Sequence, residues 1–148
     1  MQIRAAIPAD IPTLVALEEH AATAAHWSTE QYEAVFSNQA PSRVMLVLEE
    51  EAGVRGFVVG RAVGEQWEIE NIAVAASVRR HGLGTRLLEE FLDLARGHGA
   101  QAVFLEVRES NLAARRLYEK WAFVEVGWRK GYYREPGEDA IVYRLGFT

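Results

Sequence analysis

Two stretches of the chain carry residue types at spacings that could do chemistry. The first is Arg79-Arg80-His81-Gly82-Leu83-Gly84-Thr85. It follows the apolar run Asn71-Ile72-Ala73-Val74 and leads into an amphipathic segment. A strand that turns through glycines into a helix start makes an anion site. The turn's N–H groups, the first unpaired N–H groups of the helix and the helix dipole all favour negative charge there. Gly82 and Gly84 let backbone approach an anion closely, and Arg79 and Arg80 add guanidinium forks suited to phosphate oxygens. The plainer alternative is a strand-to-helix turn with a solvated arginine pair.

The second stretch is Ala102 to Tyr118. Glu106 lies in a strand pattern where it shares a face with Phe104, while Val103, Leu105 and Val107 face the other way. A carboxylate on such a face is partly desolvated, and desolvation brings carboxyl groups towards proton exchange at neutral pH. The same residue equally suits a rim position paired with an arginine such as Arg108. Glu68 and Glu70, on the preceding strand, are rival carboxylates. Tyr118 falls on the apolar face of a helix, where a core tyrosine with a satisfied hydroxyl is the simplest reading.

Several elements must position these groups. Strands are expected at Gln2–Ala6, Arg43–Leu48, Val54–Val63, Gln66–Val74, Ala102–Val107, Phe123–Trp128 and Ala140–Leu145, with Arg129 to Asp139 as a loop. A first helix runs to about Ala24, with Asp10 as its cap and Pro12 in its first turn. Ser28-Thr-Glu-Gln31 has capping-box form and opens a short helix with Tyr32, Val35 and Phe36 inward. The next helix, from Thr85, turns Leu87, Leu88, Phe91, Leu94 and Ala95 to one face, and Gly97 and Gly99 stop it. Ser110-Asn111 caps the last helix, with Ala114, Leu117, Tyr118 and Trp121 inward. Hairpins at both ends and strand–helix alternation between them argue for a mixed α/β sheet.

Composition narrows the function classes. The 148 residues, 49% hydrophobic and 25% charged, suit one globular domain spanning 1–148, without repeat or linker. No cysteine is present, which removes disulfides, thiolate metal sites and a cysteine nucleophile and fits a cytoplasmic setting. A net charge of −5 argues against a general nucleic-acid surface. Met1-Gln-Ile-Arg runs straight into structured-looking sequence, so no leader is expected, and no apolar run is long enough for a membrane span. The four histidines show no metal-ligand spacing, so no metal is expected. The Gly-rich loop lacks the Gly-Lys-Ser/Thr end of a triphosphatase loop, and Leu87 stands where a dinucleotide fingerprint needs Gly or Ala.

Arg79-x-x-Gly82-x-Gly84, between a strand and a helix, resembles the acetyl-CoA pyrophosphate loop of the GNAT N-acetyltransferase superfamily. Asn71-Ile-Ala-Val74, Leu105-Glu106-Val-Arg108, Ser110-Asn111, Leu117-Tyr118, Gly131-Tyr132-Tyr133 and Gly137-Glu138-Asp139-Ala140 resemble its RimI-type branch, which acetylates the N-terminal alanine of a small-subunit ribosomal protein. The resemblance implies a GNAT acyl-CoA N-acyltransferase fold, a mixed twisted sheet of about seven strands and about four helices, with the fourth and fifth strands splayed. It implies acetyl-CoA as co-substrate and a protein N-terminus as partner, without direct nucleic-acid or membrane binding.

By the same resemblance, the backbone of Ile72, Ala73 and Val74 pairs with pantetheine, and Arg79, Arg80, His81, Gly82, Leu83, Gly84 and Thr85 hold the pyrophosphate. Asn111 reaches the pantetheine region, a role that competes with plain helix capping. Glu106 is implied as general base and Tyr118 as general acid, with Trp27, Tyr132 and Tyr133 around the acceptor. Ala122 departs from the family's usual glycine after the last helix, and Ala25-His26-Trp27 from its usual Phe-Pro-Trp. A transferase acting on lysine or a small amine, and an acyl-CoA-binding module without turnover, remain as rival readings.

Overall fold

The computed structural model describes residues 1–19, 27–37, 42–75, 82–134 and 137–147. Seven strands form one sheet: β1 (Gln2–Ala5), β2 (Arg43–Glu50), β3 (Gly53–Val63), β4 (Gln66–Val74), β5 (Ala102–Arg108), β6 (Val124–Arg134) and β7 (Gly137–Gly146). Their order is β1-β2-β3-β4-β5-β7-β6. Neighbours are antiparallel except β4 and β5. That parallel step needs a crossover, which is made by α3 (Leu83–Gly97). The other helices are α1 (Ile11–Glu19), α2 (Thr29–Val35) and α4 (Leu112–Lys120).

Two apolar layers sandwich part of the sheet. On one face, Leu87, Leu88, Phe91 and Ala95 of α3 pack on Val58, Trp67, Ile69, Val103 and Leu105. α3 lies so close to β3 that a Cβ at Gly60 would sit 2.4 Å from the Phe91 ring. On the other face, Leu14 of α1 and Tyr32 and Val35 of α2 cover Val47, Phe57 and Val59. The β4–β5–β7 part of that second face is where the candidate site lies.

The β4–β5 pairing is short. It runs from Gln66↔Ala102 to Ile69↔Leu105 and ends there. Beside that point the β3–β4 register shifts, since Val59 opposes Asn71 while Gly60 opposes Ile69. Glu70 is therefore the extra residue of a β-bulge, which bends β4. The expected splay between the fourth and fifth strands thus has a local cause.

Three expectations need correction. Asp10 does not cap α1: it closes a 3₁₀ turn at Pro8–Asp10, and its carboxylate accepts from the Ile7 N–H and from Arg4. The stretch 129–139 is not a plain loop, because β6 and β7 extend to Arg134 and from Gly137. α3 starts at Leu83 and buries Leu92 more deeply than Leu94. The expected continuation of α1 to Ala24 lies outside the described residues. The Ser28 capping box is present in full: Gln31 N–H donates to Ser28 Oγ at 3.2 Å, and Ser28 N–H donates to Gln31 Oε1 at 2.8 Å.

Candidate active site

β5 alternation puts Glu106 on the open face, with its side chain about one-fifth exposed. Arg129 of β6 reaches across β7 and places Nε 2.8 Å from Glu106 Oε1. Tyr132 hydrogen-bonds the same carboxylate, and that bond, followed by burial, raises the Tyr132 phenol above its ordinary pKa. Tyr133 packs edge-on against Tyr132 with ring centroids 5.1 Å apart. Its phenol is pushed up to about 12, first by burial and then by the Glu106 charge. The bulge in the β6–β7 register between Arg129 and Tyr133 aims these side chains.

Glu106 thus pairs with an arginine, as the rim reading had it, through Arg129, while Arg108 takes a partner of its own. It pairs with Glu138 of β7 at 3.4 Å and stacks 4.2 Å from the Tyr133 ring centroid. Glu138 also accepts from the Ser110 N–H at 2.5 Å; a bond from the Ser110 side chain, followed by that N–H, holds its carboxyl below the usual range. This ties the end of β5 and the approach to α4 onto β7. Asn111 then caps α4, its Oδ1 accepting from Ala114 N–H at 3.1 Å.

α4 holds Tyr118 in the core, edge-on to Phe123 and tilted against Tyr143. Burial, with a smaller contribution from Tyr133, raises the Tyr118 phenol well above its ordinary value and keeps it protonated. Tyr143 fixes the helix: its hydroxyl donates to Glu119 at 2.7 Å and accepts from Arg115 at 3.2 Å.

A cleft of about 260 Å³ runs from Glu106 towards the start of β4, lined by Arg61, Gln66, Glu68, Phe104, Arg129 and Val142 among others. Glu68 and Glu70 stand on the same side of the sheet. Each is engaged elsewhere, Glu68 with Arg61 at 3.3 Å and Glu70 with Arg43 through two contacts of 3.0 Å. Gln66 Oε1 is buried without a partner among the described residues.

Main-chain groups suited to a phosphate and a pantetheine arm can be tested directly. Gly82 holds φ +75 at the N-cap of α3, a conformation that favours glycine. No side chain caps that helix start and its first turn carries no acidic residue, as an anion site needs. Ala75 N–H donates to Arg55 O on β3. Strand alternation therefore turns the main-chain groups of Ile72 and Val74 towards the β5 side, beyond the last β4–β5 pair. The residues fit a CoA thioester on both counts.

Comparison with known proteins shows the family. The Acetyltransferase (GNAT) family profile matches residues 12–123. The chain belongs to the GNAT acetyltransferase family. This GNAT N-acetyltransferase is 35% identical over 138 residues to the [ribosomal protein bS18]-alanine N-acetyltransferase of Salmonella typhimurium, covering 92% of the chain and 90% of the relative. It is 43% identical over 86 residues to the N-alpha-acetyltransferase RimI of Mycobacterium tuberculosis, covering 58% and 52%. The crystal structure of the ribosomal-protein-S18-alanine N-acetyltransferase from Escherichia coli superposes with a TM-score of 0.88 at 30% identity, covering 99% of this chain and 94% of that one.

Within this GNAT enzyme, Glu106, Tyr132 and Tyr133 come together. Trp27 lies apart from them, on the α2 side, 5.4 Å from the Tyr32 ring and 5.7 Å from the Arg43 guanidinium. Arg79, Arg80 and His81 lie outside the described residues. Leu83 is buried, and Gly84 packs near Val74. Sequence reasoning missed Arg129, whose partner two strands away no spacing rule gives. It also missed the buried Glu18, Asn71 and Tyr32 cluster, although a glutamate on the inner face of α1 was a usable signal.

Proposed function

We propose that this enzyme moves the acetyl group of acetyl-CoA onto the N-terminal α-amine of a protein, an alanine-first ribosomal protein being the foremost candidate. The observation that carries this reading is the Salmonella relative of that printed activity, matched along nearly the full length of both chains. The open cleft beside Glu106, walled by aromatic and charged side chains, supports a peptide acceptor over an enclosed small amine.

Acetyl-CoA supplies an activated acetyl thioester, and the chain's residues manage position and protons. The α3 start, with Arg79 to Thr85, holds the pyrophosphate, and the Ile72–Val74 backbone aligns the pantetheine arm as an added strand. Asn111 stands near that arm while capping α4. An α-amine of pKa ~8 is largely protonated at neutral pH. Glu106 takes its proton, directly or through water, and the freed nitrogen bonds the acetyl carbon as the carbon–sulfur bond breaks; the nitrogen sheds its second proton to water as the amide forms, which balances the proton given to the sulfur. Tyr118, kept protonated by burial, gives a proton to the departing sulfur. Tyr132 and Tyr133, beside Glu106, border the acceptor.

The test is acetyl-CoA turnover, followed by free thiol, against peptides beginning with Ala, Ser or Met, N-blocked lysine peptides and polyamines. Turnover on alanine-first peptides is expected. Turnover of blocked lysine peptides without free N-termini overturns the acceptor assignment.

A further inference from the structure

The bulge at Glu70 places two successive polar side chains, Glu70 and Asn71, on the α1/α2 side of the sheet. Each is captured. Arg43 of β2 forks onto Glu70 beneath Trp27. Asn71 Nδ2 donates to Glu18 of α1 and lies 3.5 Å from the Tyr32 hydroxyl of α2. Tyr32 also hydrogen-bonds Glu18; burial, then that bond, hold its phenol far above the ordinary value. Glu18 is 2% exposed, Asn71 4% and Tyr32 0%. Among otherwise apolar neighbours such as Leu14, Phe57 and Ala73, a carboxylate, an amide and a phenol are costly to bury and stay only where they satisfy one another.

The cluster's location gives it a use. It grips β4 two residues past Ile69, the last residue paired to β5. Its three members come from α1, α2 and β4, all on the side away from α3. We propose that Glu18 and Tyr32 are positioning residues that, through Asn71, hold the end of β4 off β5 and so keep the Ile72–Val74 backbone presented to acetyl-CoA. The use of that backbone rests on the function proposed above; the grip on β4 does not.

The experiment compares Glu18→Ala with Leu14→Ala, a change on the same helix that costs stability by leaving a cavity. Tyr32→Phe stands in if Glu18→Ala does not fold, and Glu18→Gln keeps an acceptor for Asn71. Two quantities are read: hydrogen exchange of the Asn71 and Ala73 amides in the free protein, and the dissociation constant for acetyl-CoA. Glu18→Ala is expected to speed exchange at both amides beyond Leu14→Ala at matched global stability. It should also weaken acetyl-CoA binding by about 10-fold, the equivalent of one buried hydrogen bond lost, with Glu18→Gln restoring most of both. Equal exchange in Glu18→Ala and Leu14→Ala overturns the grip. Faster exchange with unchanged acetyl-CoA affinity overturns its role in binding. A wild-type protein that binds no acetyl-CoA sinks the function proposed above instead, and exchange alone then decides the grip.

Discussion

Arg129 Nε and Glu106 Oε1 meet at 2.8 Å, although one residue lies on the edge strand and the other two strands inward. The arginine side chain is 57% exposed, so its net contribution to stability is small. Its chemical consequence is larger, because a guanidinium occupies a lone pair that a base must offer.

Glu106→Gln should therefore lower kcat by about 10²–10⁴-fold and abolish the acidic limb of the pH–rate profile. Arg129→Gln, which leaves the Glu106 carboxylate in place, should retain most of kcat. A limb that survives in Glu106→Gln transfers the role to Glu68 or Glu70.

Tyr118 makes a separate prediction. Its phenol is raised by burial, so the proton stays on through the alkaline range where an ordinary tyrosine, of pKa ~10, would lose it. Tyr118→Phe should reduce kcat while leaving the acetyl-CoA dissociation constant nearly unchanged. Normal turnover in that variant reduces Tyr118 to a packing residue.

What was legible in the sequence follows a physical pattern. Elements with strong periodicity or caps, such as α3 and the Ser28 and Asn111 helix starts, could be read because their signals are local. The splay between β4 and β5 came only by resemblance, since its cause is a one-residue register slip at Glu70 that no alternation pattern displays. Arg129 was hidden for the same reason: which arginine reaches Glu106 depends on a second bulge, in β6. The segment of Tyr132 and Tyr133 reads as loop in the sequence because Gly131, at φ +61, interrupts a strand that nevertheless continues.

Away from the site, Arg4 and Asp10 set a pH dependence. The Arg4 guanidinium forks onto Asp10 at 2.9 and 3.0 Å, which leads in holding the Asp10 carboxyl below its ordinary value. A depressed carboxyl pKa stabilises the fold above the unfolded value of ~3.9, and the contribution disappears as pH falls through the folded value. Asp10→Asn should thus cost about 1–2 kcal/mol at pH 7. Urea unfolding should show that difference shrinking below pH ~4. A difference independent of pH would assign the loss to packing.

The last prediction concerns Ala122, which stands where the family usually has glycine. Its φ is +69, the only positive value at a non-glycine among the described residues. It occupies the left-handed position after α4. Phe123 N–H donates to Tyr118 O at 3.0 Å and Ala122 N–H to Glu119 O at 3.1 Å, the paired bonds of a Schellman ending. The missing glycine has therefore not changed the geometry, and the cost falls on Ala122 itself, about 1 kcal/mol for an L-residue in this region. Glycine regains that but makes the unfolded chain more flexible, so Ala122→Gly should stabilise by roughly 0.5 kcal/mol. Thermal unfolding measures the sign. Since the Tyr118 carbonyl anchors this ending, kcat should stay at the wild-type level; a fall in kcat together with a raised Tm would mean that strain after α4 helps to aim Tyr118.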